Sequence, residues 1–173
     1  TSPIDTRVAW LSIAAGVVLL IALRILALQM PHGLGALADI FYRTGALVFG
    51  GGHVVLPLLH DALVPSGWIS DSDFLSGYGA AQALPGPLFS VAAYLGAQSA
   101  PHGTPALGAS IAVLCIFLPG MLLAVAGQYV WSHGARLPRV RAALAGVNAG
   151  AVGILAAALY NPVLTGALSV MRR

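Results

Sequence analysis

No lysine and no glutamate occur in the 173 residues, and charged side chains make up only 8% of the chain. Soluble domains carry about 25% charged residues, so this composition cannot cover an ordinary solvated surface. The one cysteine, Cys115, lies in an apolar run, which excludes an internal disulfide and a cysteine metal site. The five histidines are His32, His53, His60, His102 and His133, and no two stand at the i, i+4 spacing of a helical metal motif. His53 and His60 fall two turns apart on one helix face, which is short of such a motif. A phosphate-binding loop that ends in lysine is impossible in a chain without lysine. These absences point away from an enzyme, from a bound metal or cofactor and from ATP hydrolysis. The net charge of +3 comes from eight arginines against five aspartates, with an isoelectric point near 9.5. The arginines are scattered over helix ends and loops, so the basic balance is not a nucleic-acid signature.

Apolar residues fill the space that charge leaves. They make up 58% of the chain, and the mean hydropathy is +0.89. Runs of about twenty such residues predict an all-α integral membrane protein rather than a soluble one. Residues 8–28 form a first span of about 31 Å at 1.5 Å per residue. Trp10 suits the interface at one end of it, and Arg24, one turn inside the other end, can snorkel outward along its own stem. Residues 106–131 form a second long run, with Pro119-Gly120 as a kink. Residues 142–160 form a third, where Gly146, Gly150 and Gly153 offer a small-residue packing face.

Two further runs, 36–63 and 74–98, are interrupted near their middles. Gly50-Gly51-Gly52 breaks the first, since each glycine costs about 1 kcal/mol against alanine in a helix. Leu84-Pro85-Gly86-Pro87-Leu88 breaks the second, because each proline removes a donor and crowds the turn before it. Each run therefore divides into a pair of half-helices, either crossing the bilayer or re-entering it as a hairpin. Such breaks survive in a membrane only against protein or a watery cavity. A helix that restarts at a break aims unpaired N–H groups and the positive end of its dipole into that cavity.

Two restarts brought together would make an anion site. Its candidate donors are the backbone N–H groups of His53, Val54, Gly86 and Leu88, with the side chains of His53, Gln82 and Ser90 beside them. Gly50, Gly51, Gly52, Pro85 and Pro87 shape the breaks. Arg43, about 10 Å of helix before the glycines, either helps to attract the anion or only neutralises Asp39, one turn earlier. Gln82 and Ser90 have a structural alternative too, as partners for carbonyls freed at the kink. Ser70 followed by Asp73 is a helix-start signal. Arg136, Arg139 and Arg141 put the loop 132–141 in the cytoplasm by the positive-inside rule. Counting back places the loop 99–105 outside. The loop 65–73 follows it if the broken runs are hairpins, and lies inside if they cross.

The stretches FGGGHVVLPLL from Phe49 and AQALPGPLFSVAAYLGA from Ala81 resemble the chromate transporter family of bacterial membrane proteins. FLPGMLLAVAG from Phe117 and GVNAGAVGILAAALYNPV from Gly146 resemble its later segments. The resemblance implies efflux of chromate, a sulfate-like divalent oxyanion, across the bacterial inner membrane, coupled to an ion gradient. Some members have two homologous halves, and others are short and work in pairs. A glycine triplet followed by histidine, in a chain opening on Thr1, fits one half of a long member, a single membrane domain that needs its partner half or a second copy. The residues themselves leave open a passive anion channel, a carrier of another small solute, or a non-transporting membrane subunit. They do not separate chromate from sulfate.

Overall fold

A computed structural model of the protein describes residues 5–48, 52–83, 88–134 and 138–158. Among these residues it is helical apart from short connections. In chain order the elements are α1 (Thr6–Gln29), α2 (Leu34–Leu47), α3 (Gly52–Leu63), α4 (Asp71–Ala83), a 3-10 turn (Leu88–Ser90), α5 (Val91–Gln98), α6 (Pro105–Gly134) and α7 (Pro138–Ala158). The chain divides into two compact units, residues 4–127 and residues 128–173 with 1–3.

Among the described residues two helices are long and apolar enough to cross a membrane, Thr6–Gln29 and Pro105–Tyr129; the third predicted run, 142–160, falls largely in α7, which is not one of them. Of the 24 residues of α1, only Ala9 is buried against the rest of the protein. A helix apolar on every side and uncovered by protein is suited to lipid. α6 runs on through Pro119 as one helix.

The broken runs are where the sequence predicts them, and the structure adds how their halves lie. α2 and α3, at 14 and 12 residues, reach about 21 and 18 Å, each short of a hydrocarbon core of about 30 Å. They do not continue one another. Asp39 and Arg43 of α2 face one cavity with Leu58 and Asp61 of α3, so the two half-helices fold back antiparallel. α4 and α5 do the same, with Gly77 of α4 directly under the ring of Tyr94 of α5. α1 is antiparallel to α2, tied by the Tyr42 hydroxyl donating to the Gly16 carbonyl at 3.0 Å.

These fold-backs bring the connections 30–33, 64–70 and 99–104 to one end of the unit. His32 and Trp68 stack there, their ring centroids 5.4 Å apart. In the turn after α3 stands a left-handed glycine, Gly67 at φ 77°, whose N–H donates to the Val64 carbonyl while that of Trp68 reaches back to the Leu63 carbonyl. That pairing satisfies carbonyls the last turn leaves open. Ser70 then caps α4. Its hydroxyl accepts the Asp73 N–H at 3.1 Å and donates to the Asp73 carboxylate at 2.6 Å. The predicted helix start is therefore observed, and Asp71 and Asp73 in the first turn complement the helix dipole.

α6 is the spine of this unit. Gly45 of α2 lies against the Ile116 carbonyl, and Gly96 of α5 lies against Gly108 and Ala112, so that a Cβ at either glycine would overlap its neighbour. Phe89 in the 3-10 turn packs on Phe117, with centroids 5.5 Å apart. Between hairpins and spine sits a core that includes Phe41, Leu59, Leu63, Val91, Leu95 and Ile116. Lipid tails are as apolar as these side chains, so in a bilayer close packing rather than exclusion of water holds them together.

In the other unit, α7 carries Gly146, Gly150 and Gly153 with nothing within 4 Å of the position a Cβ would take. The predicted small-residue face is thus unoccupied among the described residues.

Candidate functional site

Among the described residues, the predicted donors His53, Val54 and Leu88 stand where the half-helices restart. Gly52 and His53 open α3, and Val54 follows them, 40% exposed. The 3-10 turn begins at Leu88 and leads through Ser90 into α5. This turn packs against both α3 and α4, so two restarts more than thirty residues apart in sequence lie in adjoining elements. Ser90 is half-buried, and its side chain makes no capping bond to α5, which leaves the hydroxyl available. Gln82 is exposed and donates to the Tyr78 hydroxyl at 2.6 Å, one turn back on its own helix. Gly50, Gly51, Pro85, Gly86 and Pro87 lie outside the described residues, as does Arg136 of the predicted cytoplasmic loop.

Pro57 stands inside α3. Having no N–H, it cannot donate to the carbonyl four residues earlier, so the His53 carbonyl loses its helical partner. The first turn of α3 therefore offers an acceptor as well as donors.

A second polar site lies along the first hairpin. Arg24, Asp39, Arg43, Thr44, Leu58 and Asp61 are among the residues lining a cavity of about 310 Å³. Asp39 is only 3% exposed. Its Oδ2 faces a guanidinium nitrogen of Arg24 at 3.4 Å and one of Arg43 at 3.9 Å, while its Oδ1 is buried without a hydrogen-bond partner. The Asp39–Arg43 pair is the one the i, i+4 spacing predicts. The guanidinium of Arg43 accordingly turns back along α2 toward Asp39.

Arg24 is the residue that sequence reasoning missed. It reads as a snorkelling side chain, yet it reaches across from α1 to Asp39. The available signal was the scarcity of charge. Two arginines and one aspartate inside apolar runs have few partners but one another, and ionisable groups at membrane depth pair or line cavities.

A third cluster fastens the two hairpins at the end that carries the connections. His60 on α3 meets the Asp71 carboxylate of α4 at 2.8 Å and that of Asp61 at 3.5 Å, and it packs edge-on to Phe74. His60 thus ties the first hairpin to the second, with Asp61 beside it on the same helix. No grouping of three or more metal-ligating side chains occurs among the described residues.

Comparison with known proteins gives a consistent result. The family model described as "Chromate transporter" matches residues 35–172. An uncharacterized transporter of Bacillus subtilis is 40% identical over 129 residues, covering 72% of this chain and 64% of that protein. A probable chromate transport protein of Synechococcus elongatus is 34% identical over 128 residues, covering 73% of this chain and 31% of the other. A chromate transport protein of Cupriavidus metallidurans is 28% identical over 179 residues, covering 90% of this chain and 44% of the other. The chain thus spans less than two thirds of the length of each of these relatives. No solved structure matches it.

Proposed function

Because the chain belongs to the chromate transporter family, we propose that it forms half of a carrier that moves chromate, or a divalent oxyanion of the same shape such as sulfate, out of the cytoplasm. In this reading the protein is a multi-pass component of the bacterial inner membrane. It is one membrane domain that works with a homologous second half or a second copy, and an ion gradient drives the export.

One observation carries the reading. Both glycine- and proline-broken runs fold back on themselves, and the turn that restarts the second packs against α3, the helix that restarts the first. We read these as re-entrant hairpins whose inner ends form the oxyanion site. Its donors are the backbone N–H groups of His53, Val54, Gly86 and Leu88, assisted by the side chains of His53, Gln82 and Ser90. Gly50, Gly51, Gly52, Pro85 and Pro87 keep that approach free of Cβ atoms and helical hydrogen bonds. Helix-start donors buried without a partner cost about 1–3 kcal/mol each, so an anion there satisfies groups that would otherwise destabilise the fold. Tetrahedral dianions of similar size satisfy them equally, hence the breadth of the substrate class.

The test is efflux of chromate and sulfate from cells that also express the partner half where one exists, with the amount of inserted protein measured in parallel. Gly51→Leu and Gly86→Leu should abolish efflux at normal protein levels. Ser90→Ala should weaken apparent affinity about fivefold, the loss of one hydrogen bond of about 1 kcal/mol. Normal efflux by well-inserted leucine variants would remove the site from the hairpin ends. Equilibration of the anion without uphill movement would make the protein a channel instead.

Topology gives an independent check. Hairpins place Ser70 on the same side as the loop 99–105, so Ser70→Cys should react with an impermeant thiol reagent on intact cells. Cysteines at Arg136, Arg139 or Arg141 should react only once the membrane is opened. Reaction of Ser70→Cys from the cytoplasmic side alone would mean that the broken runs cross.

A further inference from the structure

The Arg24–Asp39–Arg43 cluster holds more charge than a structural ion pair needs. One carboxylate can engage one guanidinium with two parallel bonds at about 2.7–2.9 Å. Here a single oxygen of Asp39 faces two guanidinium groups at 3.4 and 3.9 Å, and the other oxygen faces none. Both pairs are therefore loose. Among the described residues neither arginine has a further partner, so most of their ten N–H groups are unspent. The two side chains remain about half exposed, at 53% and 45%, while the carboxylate between them is buried. The cavity they border, about 310 Å³, has room for a small tetrahedral anion. Two cations converging on one under-coordinated acceptor beside an open volume is the geometry of an anion site already occupied by a side chain.

We infer that Arg24 and Arg43 form a second oxyanion station, apart from the hairpin ends, which Asp39 fills until an oxyanion displaces it from its two ion pairs. The identity of the anion rests on the transport reading above; the station itself rests on the cluster. Asp39 faces Arg24 from α1, Arg43 from its own helix, and Asp61 across the cavity from α3. An oxyanion that takes both arginines must displace the Asp39 carboxylate from them, so anion and carboxylate compete for the same guanidinium groups.

Sulfate is the probe, with the full chain reconstituted in lipid discs. The arginines are modified with phenylglyoxal, and the rate at each is read by mass spectrometry. Sulfate should slow modification of Arg24 and Arg43 about tenfold, the protection expected when the anion occupies its site most of the time, and leave Arg7 unchanged. Asp39→Asn removes the competing charge. It should reach the same protection at about tenfold lower sulfate, one charge-assisted bond no longer displaced.

Unchanged rates at Arg24 and Arg43 would overturn the station, as would weaker sulfate protection in a folded Asp39→Asn protein. Should that variant not fold, the protection of Arg24 and Arg43 in the wild-type protein decides the question alone. The efflux assay separates this inference from the transport reading. Efflux without arginine protection removes the station and leaves transport standing. Protection without efflux does the reverse.

Discussion

The α2–α3 hairpin carries Asp39 and Arg43 along one arm and His60 and Asp61 near the end of the other, whereas the α4–α5 hairpin has its charges only at the start of α4, at Asp71 and Asp73. The arms of the first leave a polar cavity between them. The arms of the second are closed by Tyr94 lying directly on Gly77. Both dock on α6 through a glycine, Gly45 in one and Gly96 in the other. One backbone plan thus gives a gap or a lock, according to the residues at the crossing. Ionic side chains border an open volume, and a ring over a bare Cα leaves none. The difference also divides the chemistry. The paired charges lie in the first hairpin, and the uncharged hydrogen-bonding groups Gln82 and Ser90 in the second.

That division can be broken most severely at the spine. Gly45→Val sets a branched side chain against the Ile116 carbonyl, a backbone atom that cannot swing aside. The expected loss is about 3 kcal/mol, the upper part of the overpacking range. It should appear as a lower unfolding midpoint in detergent and a smaller yield of inserted protein. Gly77→Ala collides with a ring instead, and Tyr94 can rotate away, so the loss should be nearer 1 kcal/mol. The α4–α5 lock would loosen while the cavity of the first hairpin kept its shape.

The smallest effect has the opposite sign. Gly79, one turn edge away on α4, has nothing within 4 Å of its Cβ position. Gly79→Ala should therefore stabilise by up to about 1 kcal/mol through helix propensity alone. An unfolding midpoint for Gly45→Val no lower than that for Gly79→Ala would mean that α6 does not anchor the first hairpin.

Much of this was legible in the chain. Hydropathy marks both long spans, and the glycine triplet and Pro-Gly-Pro mark both breaks, because these depend on local composition. The Ser70 cap is legible for the same reason. The fold-back was not. A break at residues 48–51 ends a helix without fixing the direction of the next, and that direction is decided by remote contacts such as Gly45 on Ile116. Nor does anything local distinguish Gly45, Gly77, Gly96 and Gly108 from the other seventeen glycines. The Asp39–Arg43 pair could be read from its spacing. Arg24, fifteen residues from Asp39 on another helix, could not be paired with it until α1 and α2 were seen side by side.

The clamp at Gly45 also sets a clock. With α2 seated on the Ile116 carbonyl and α1 tied to it through Tyr42, neither helix can roll without losing a close contact. The two guanidinium groups are then repositioned by rotation about their own side-chain bonds. Such rotations at exposed side chains take picoseconds to nanoseconds, while movements of packed helices take microseconds to milliseconds. Exchange of partners around Asp39 is therefore fast beside any step in which whole helices must move.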